Sequence, residues 1–239
     1  MNEKQERIAL VTGASRGIGY HAALALAKEG FHLIAVARTV GGLEELDDEI
    51  QANGGSATLV PLDLLDHDAI DRLGASIFER WGKLDVLIAN AGILGGLSPL
   101  EHIDPKTFEK VHKLNVTSNW RLMRSLSVLL RASENGRAVF MTSNPDDMRK
   151  PFWGAYSSSQ AALQSMVKTW AAECEKLPLR INLLDTGPMR TALRAEAMPG
   201  ENPDDIAHPS EIGPSVMALT FSTLQDNGKL YCHKSGSFR

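Results

Sequence analysis

Short apolar runs alternate along the chain with longer segments in which apolar residues recur at helical spacing. Residues 8–11, 32–37, 57–62, 86–89, 138–141, 181–184 and 230–232 read as strands, being too short and too uniformly apolar for amphipathic helices. Between them, residues 18–29, 43–52, 68–80, 105–131, 155–176 and 210–220 carry helical periodicity, several entered through Asp or Pro, which favour helix starts. This alternation predicts an α/β fold: a doubly wound parallel sheet of about seven strands with helices on both faces, because each return to a parallel neighbour requires a crossover helix. In such sheets ligands bind beyond the carboxyl ends of the strands, so the residues after each strand are the first candidates for a site.

Composition narrows the class without changing the architecture. No Pro/Ser-rich linker or shift in composition divides the 239 residues, and they are expected to form one domain. No apolar stretch approaches the roughly 18 residues that cross a membrane, and residues 1–7 are polar with no signal-peptide core behind them. The expectation is a cytoplasmic protein without a membrane partner. Cys174 and Cys232 belong to no CxxC pair, and the seven histidines are scattered without ligand spacing, so no disulfide scaffold and no metal are expected. A net charge of −4 with no basic stripe offers nucleic acid no footprint.

The first strand runs into Thr12-Gly13-Ala14-Ser15-Arg16-Gly17-Ile18-Gly19 and then a helix. Bare backbone at Gly13, Gly17 and Gly19 allows tight turning and close approach, and free amides at a helix start favour a phosphate. A tight strand-to-helix turn needs similar residues without any ligand, so the spacing alone leaves both readings open. After the second strand stands Arg38, where a dinucleotide protein preferring an unphosphorylated ribose would offer a carboxylate. Arg38 and Arg16 could embrace a 2′-phosphate with their planar forks of donors, which favours NADP(H) over NAD(H); two solvated loop arginines are the alternative. Asp63-Leu64 follow the third strand and Asn90-Ala91-Gly92 the fourth, where they suit either an adenine contact and a close turn at the cofactor or simple turn capping.

With these residues in place the chain resembles the short-chain dehydrogenase/reductase family, single-domain Rossmann oxidoreductases, over nearly its whole length. The family's glycine signature corresponds to residues 12–19, its adenine-side Asp to Asp63, its Asn-Ala-Gly turn to residues 90–92 and its helix Asn to Asn115. Its catalytic Ser and Tyr match Ser143 and Tyr156, thirteen residues apart as in the family. The resemblance implies hydride transfer between a nicotinamide cofactor and a small carbonyl or alcohol substrate. It also implies that Asn115 kinks its helix and holds a water of a proton relay.

The departure lies at the chemistry: the family's Tyr-x-x-x-Lys reads Tyr156-Ser157-Ser158-Ser159-Gln160. One helical turn after the tyrosine, Gln160 still reaches the cofactor ribose but supplies no positive charge. A lysine that lowered the tyrosine pKa by about three units would contribute on the order of 4 kcal/mol of preference for tyrosinate. Oxidation of an alcohol needs tyrosinate as base, whereas reduction of a carbonyl needs a neutral phenol as donor. The expectation is therefore a carbonyl reductase in which Ser143 orients the substrate oxygen and Tyr156 protonates it, or else a site where Lys150 or Arg149 replaces the missing cation. The rival is a non-catalytic dinucleotide-binding scaffold or redox sensor that kept the cofactor signature and lost the relay. Reduction of a carrier-bound acyl group is a weaker third reading, since no basic docking patch is evident.

A second departure replaces the family's Pro-Gly after the sixth strand with Thr186-Gly187. Gly187 still permits close backbone approach, and Thr191 matches the family's contact to the nicotinamide carboxamide. Residues 188–209 correspond to the family's substrate-covering segment and contain strong turn signals, so a mobile lid is expected there. Met189, Leu193, Met198, Trp153 and Phe152 are candidates for an apolar substrate wall, with ordinary packing the alternative. Helices 105–131 and 155–176 carry apolar residues on more than one side, including Trp120, Leu126, Leu129, Met166 and Trp170. The family builds dimers and tetramers on these helices, which implies a homodimer or homotetramer.

Overall fold

The structure, a computed structural model, describes residues 6–144 and 150–239. Among the described residues eight strands form one sheet: β1 (Arg7–Thr12), β2 (Phe31–Ala37), β3 (Ser56–Pro61), β4 (Val86–Ala89), β5 (Arg137–Thr142), β6 (Arg180–Asp185), β7 (Leu230–Cys232) and β8 (Ser237–Phe238). Their order is β3-β2-β1-β4-β5-β6-β7-β8. All neighbours are parallel except β8, which turns back antiparallel on β7 with Tyr231 opposite Phe238. The pattern predicted the first seven; β8, two residues long, has no alternation to reveal it.

Each strand is pleated, so neighbours along it face opposite layers. Ile8 and Leu10 pack into one core with Leu126, Val167 and Trp170, while Ala9 and Val11 pack into the other with Leu26, Leu46 and Val216. The first layer is covered by α3 (His67–Trp81), α5 (Ser118–Ala132) and α6 (Gly154–Glu173); the second by α1 (Gly17–Lys28), α2 (Val40–Ala52) and α8 (Gly213–Thr220). Leu126, Leu129 and Trp170 are thus buried in the chain's own core and offer nothing to a partner, whereas Trp120 is half exposed.

The long helix expected over residues 105–131 is three pieces: α4 (Pro105–His112), a π-helical turn (Lys113–Thr117) and α5. The start was legible, since Asp104 accepts from the backbone N–H of Thr107 and Pro105 occupies the first turn. The wider turn centres on Asn115, in keeping with the kink that the resemblance implied. Within residues 188–209, expected as a mobile lid, α7 (Ala192–Ala197) is capped by the Thr191 hydroxyl accepting from Arg194 N.

One buried cation ties the far end of the chain to the sheet. Arg137 on β5 donates to the backbone carbonyls of Gly136, Phe221 and Ser222 at 2.8, 3.0 and 2.7 Å. Burial, with nearby Arg180, lowers its guanidinium to about 10. Among the described residues no helix is long and apolar enough to cross a membrane.

Candidate active site

β1 pairs with β2 on one side and with β4 on the other, so the chain winds away from it in both directions. A cavity of about 830 Å³ opens beyond the strand ends at this switch point and extends past β5 and β6. One group closes its floor: Thr12 Oγ1 accepts from the backbone N–H of Asn90 at 3.0 Å and of Ala91 at 3.1 Å. Asn90 Nδ2 donates to the carbonyls of Thr12 at 3.0 Å and Gly13 at 3.4 Å. The Asn90 side chain therefore holds the glycine turn in place and is not a free donor to a ligand, although the residue lines the cavity.

Gly13 and Gly17 have φ of 67° and 60°, the left-handed region that glycine enters without a Cβ penalty. Gly13, Ser15, Arg16, Gly17 and Ile18 line the cavity. Gly19 does not: it sits beneath the turn, where a Cβ would collide with the Gly13 carbonyl oxygen and lie 2.5 Å from Asn90 Nδ2. Its place in the signature is therefore a packing requirement. Helix α1 starts at the cavity without a side-chain cap, leaving its first amides to an anion.

Arg38 at the end of β2 and Asp63 and Leu64 after β3 line the opposite end of the cavity. Arg16 and Arg38 enter no ion pair among the described residues. Asp63 Oδ1 accepts from Leu65 N at 3.0 Å, so it stabilises its own turn while facing the cavity. Leu64 is mostly core, its carbonyl accepting from Ser118 Oγ at 2.6 Å.

At the β5–β6 end, the first turn of α6 carries Tyr156 to within 3.3 Å of Ser143, hydroxyl to hydroxyl. Tyr156 is 9% exposed, and burial pushes its phenol above the ordinary tyrosine value; the hydrogen bond from Ser143 opposes this and the Asp185 charge adds to it. Lys150 lines the same cavity, with Nζ 5.8 Å from the centre of the Trp153 ring. Of the two cations expected as substitutes for the missing ammonium, Lys150 is thus placed beside Trp153, whose ring centre is 5.9 Å from that of Tyr156, and Arg149 lies outside the described residues. Gln160, 5% exposed, lines the cavity with its Oε1 accepting from Thr142 Oγ1 at 3.0 Å.

Asn115 lines the cavity, its side chain clamped to Ile93: Oδ1 accepts from Ile93 N at 3.0 Å and Nδ2 donates to Ile93 O at 2.9 Å. Nδ2 also reaches Ser159 Oγ at 3.0 Å. The Asn115 carbonyl, within the π-helical turn, accepts from Asn119 Nδ2 at 2.8 Å. Ala91 and Gly92 form the wall between Asn90 and Asn115.

Beyond β6, Gly187 has φ of 63° and donates its N–H to Asp185 Oδ1 at 3.0 Å, and Thr191 lies over Gly17. Asp185 was missed because the apolar run ends at Leu184, yet its position at a strand's carboxyl end is the signal that would have found it. Of the proposed apolar wall, Met189, Leu193 and Trp153 line the cavity. Met198 packs with Leu94, Tyr156 and Ala197 behind it, and Phe152 points away, half exposed with φ of 74°. Arg194 grips Glu201 with two hydrogen bonds of 2.5 and 2.6 Å, and Arg190 meets Asp204 at 3.0 Å, tying the covering segment to itself.

A glycine turn at the switch point of a doubly wound sheet, with a buried Ser-Tyr pair across the same cavity, defines the class of Rossmann oxidoreductases. The family model for short chain dehydrogenase matches residues 7–202. The chain belongs to the short-chain dehydrogenase/reductase family, whose members bind a nicotinamide dinucleotide. It is 34% identical to the uncharacterized oxidoreductase YciK of Escherichia coli K12, over 90% of this chain and 86% of that protein. It is 31% identical to the 2,3-dihydro-2,3-dihydroxybenzoate dehydrogenase of Bacillus subtilis, over 84% and 78% respectively. A short chain dehydrogenase of Shigella flexneri 2a solved with NADP superposes with a TM-score of 0.91 at 32% identity, covering 97% of this chain and all of the other.

Proposed function

We propose that the chain is an NADP(H)-dependent carbonyl reductase. The observation that carries this reading is the buried, neutral Tyr156 phenol, 3.3 Å from Ser143, on a cavity whose other end presents Arg16 and Arg38. A dinucleotide fits the polar groups present: the uncapped start of α1 suits its pyrophosphate, the two guanidinium groups suit its 2′-phosphate, and Asp63 can accept from its adenine amino group. Similarity to a Shigella protein solved with NADP and an Escherichia coli protein solved with NADPH supports the phosphorylated form.

When bound, the dinucleotide supplies the hydride to the carbonyl carbon. Ser143 Oγ–H holds the carbonyl oxygen and Tyr156 transfers its proton there, so one carbonyl plus hydride plus proton becomes one alcohol. Gln160 carries no ionisable proton to hand on, so the phenol regains its proton from water entering the cavity. Thr191 and Gly187 bound the nicotinamide end, and residues 188–209 cover the substrate.

Gln160 specifically favours a second reading, a dinucleotide-binding scaffold or redox sensor without turnover. NADPH consumption by the purified protein with a panel of aldehydes, ketones and quinones separates the two. Turnover that disappears in Tyr156→Phe while NADPH still binds supports the reductase. NADPH binding with no turnover across the panel moves the scaffold to the front. The exposed Trp120 and Val128 favour a homodimer or homotetramer through α5 and α6, which sedimentation checks.

A further inference from the structure

Tyr156, Gln160 and Gln164 stand at i, i+4 and i+8 on α6 and so share one face of the helix, turned to the end of β5. All are buried, as is Thr142, the last residue of β5. Gln164 does not line the cavity, yet its Nε2 donates both to Thr142 Oγ1 and to the Ser143 carbonyl, each at 2.9 Å. With that donor in place, the Thr142 hydroxyl has one proton to give. Gln160 Oε1 lies at 3.0 Å, whereas the Ser143 carbonyl is at 3.4 Å and already accepts from Gln164. The shorter, unshared acceptor takes the proton.

The direction of that bond decides which way the Gln160 amide faces. If the amide were reversed, its NH2 would meet the Thr142 oxygen and the threonine proton would keep only the distant, shared carbonyl. In the observed sense the three side chains form a chain of one polarity: amide N–H to hydroxyl, hydroxyl to amide oxygen, amide NH2 left for the cavity that Gln160 lines. Each donor in such a chain polarises the next, strengthening the terminal donor. We propose that Thr142 and Gln164 are positioning residues that lock Gln160 with its NH2 toward the dinucleotide, giving this chain an oriented neutral donor where the family places an ammonium. The inference rests on the reading of the cavity as a dinucleotide site.

The arrangement has a consequence that a merely structural contact lacks: loss of the Thr142 hydroxyl matters to the ligand only while Gln160 is present. The experiment is a double-mutant cycle read as the dissociation constant for NADPH, measured by calorimetry on the full chain. Thr142→Val keeps the shape and removes the hydroxyl, and is expected to weaken NADPH binding by about three- to tenfold, the range of one net hydrogen bond. Thr142→Ser restores the hydroxyl and is expected within about twofold of the wild type. In a Gln160→Ala background, Thr142→Val is expected to change the constant by less than about twofold. Equal losses with and without Gln160, or no loss in a folded Thr142→Val protein, overturn the inference while leaving the dinucleotide reading intact. Should Thr142→Val not fold, Gln164→Met breaks the same chain from its other end and is judged by the same cycle. A folded wild type that binds no NADPH overturns both readings.

Discussion

The side-chain amide of Asn119 closes on the backbone carbonyl of Asn115 at 2.8 Å, across the π-helical turn between α4 and α5. A wider turn releases a carbonyl from the helical ladder, and both residues are nearly shut off from solvent. Replacing Asn119 with Leu leaves that carbonyl without its partner. Stability is expected to fall by about 1–3 kcal/mol, read from urea unfolding. An unchanged midpoint would mean that water replaces the amide at no cost.

Gly19 makes the glycine signature testable as packing. Gly19→Ala drives a methyl group into the Gly13 carbonyl and the Asn90 amide that hold the turn. A loss of about 1–3 kcal/mol in stability is expected, with weaker NADPH binding following from the displaced turn. A protein as stable as the wild type would show that the turn can yield.

Coenzyme choice is assigned to the guanidinium forks. Arg38→Ala is expected to weaken NADPH by about ten- to a hundredfold, as for a charge-assisted contact, and to leave NADH nearly unchanged. Comparable losses for both coenzymes, measured by calorimetry, would place Arg38 away from the 2′-phosphate.

The pH dependence follows from Tyr156. Its phenol is raised above 10.0 by burial, so the protonated form that donates is favoured in the fold, and is lost only as pH climbs through that raised value. Carbonyl reduction is therefore expected to show no alkaline fall in kcat/KM between about pH 7 and 9 from this group. Gln160→Lys sets an ammonium beside the phenol and lowers its pKa, which should speed alcohol oxidation at least about tenfold and introduce an alkaline fall in reduction. An oxidation rate that does not rise would show that residue 160 is not limiting.

What could be read from the sequence, and what could not, divides along physical lines. Strand runs such as residues 86–89 were legible because full burial on both faces demands unbroken apolar stretches, and the pairing of Ser143 with Tyr156 because their spacing was matched by four other landmarks. Asn119 and Gln164 were not, since a lone amide in a helix gives no sign of the carbonyl or hydroxyl that folding will bring to it. Asn90 shows the same limit from the other side: its type suited a ligand contact, but a neighbouring turn claimed its amide. Lys150 carried the right charge in the right loop, but a sequence gives no sign that folding would seat it over the Trp153 ring.

Arg137 changes what counts as the working unit of this chain. The stretch shared with the family model stops at residue 202, after every residue assigned here to the chemistry. The carbonyls that satisfy the Arg137 guanidinium on the far side of the sheet come from Phe221 and Ser222, beyond that stretch. A version trimmed to the shared residues would keep Ser143, Tyr156 and Gln160 but lose the Phe221, Ser222 and Leu224 acceptors of a buried cation, with α8, β7 and β8 going too. For anyone minimising or grafting this scaffold, the acceptors of Arg137, far from the catalytic pair, therefore help set the shortest chain that can hold it.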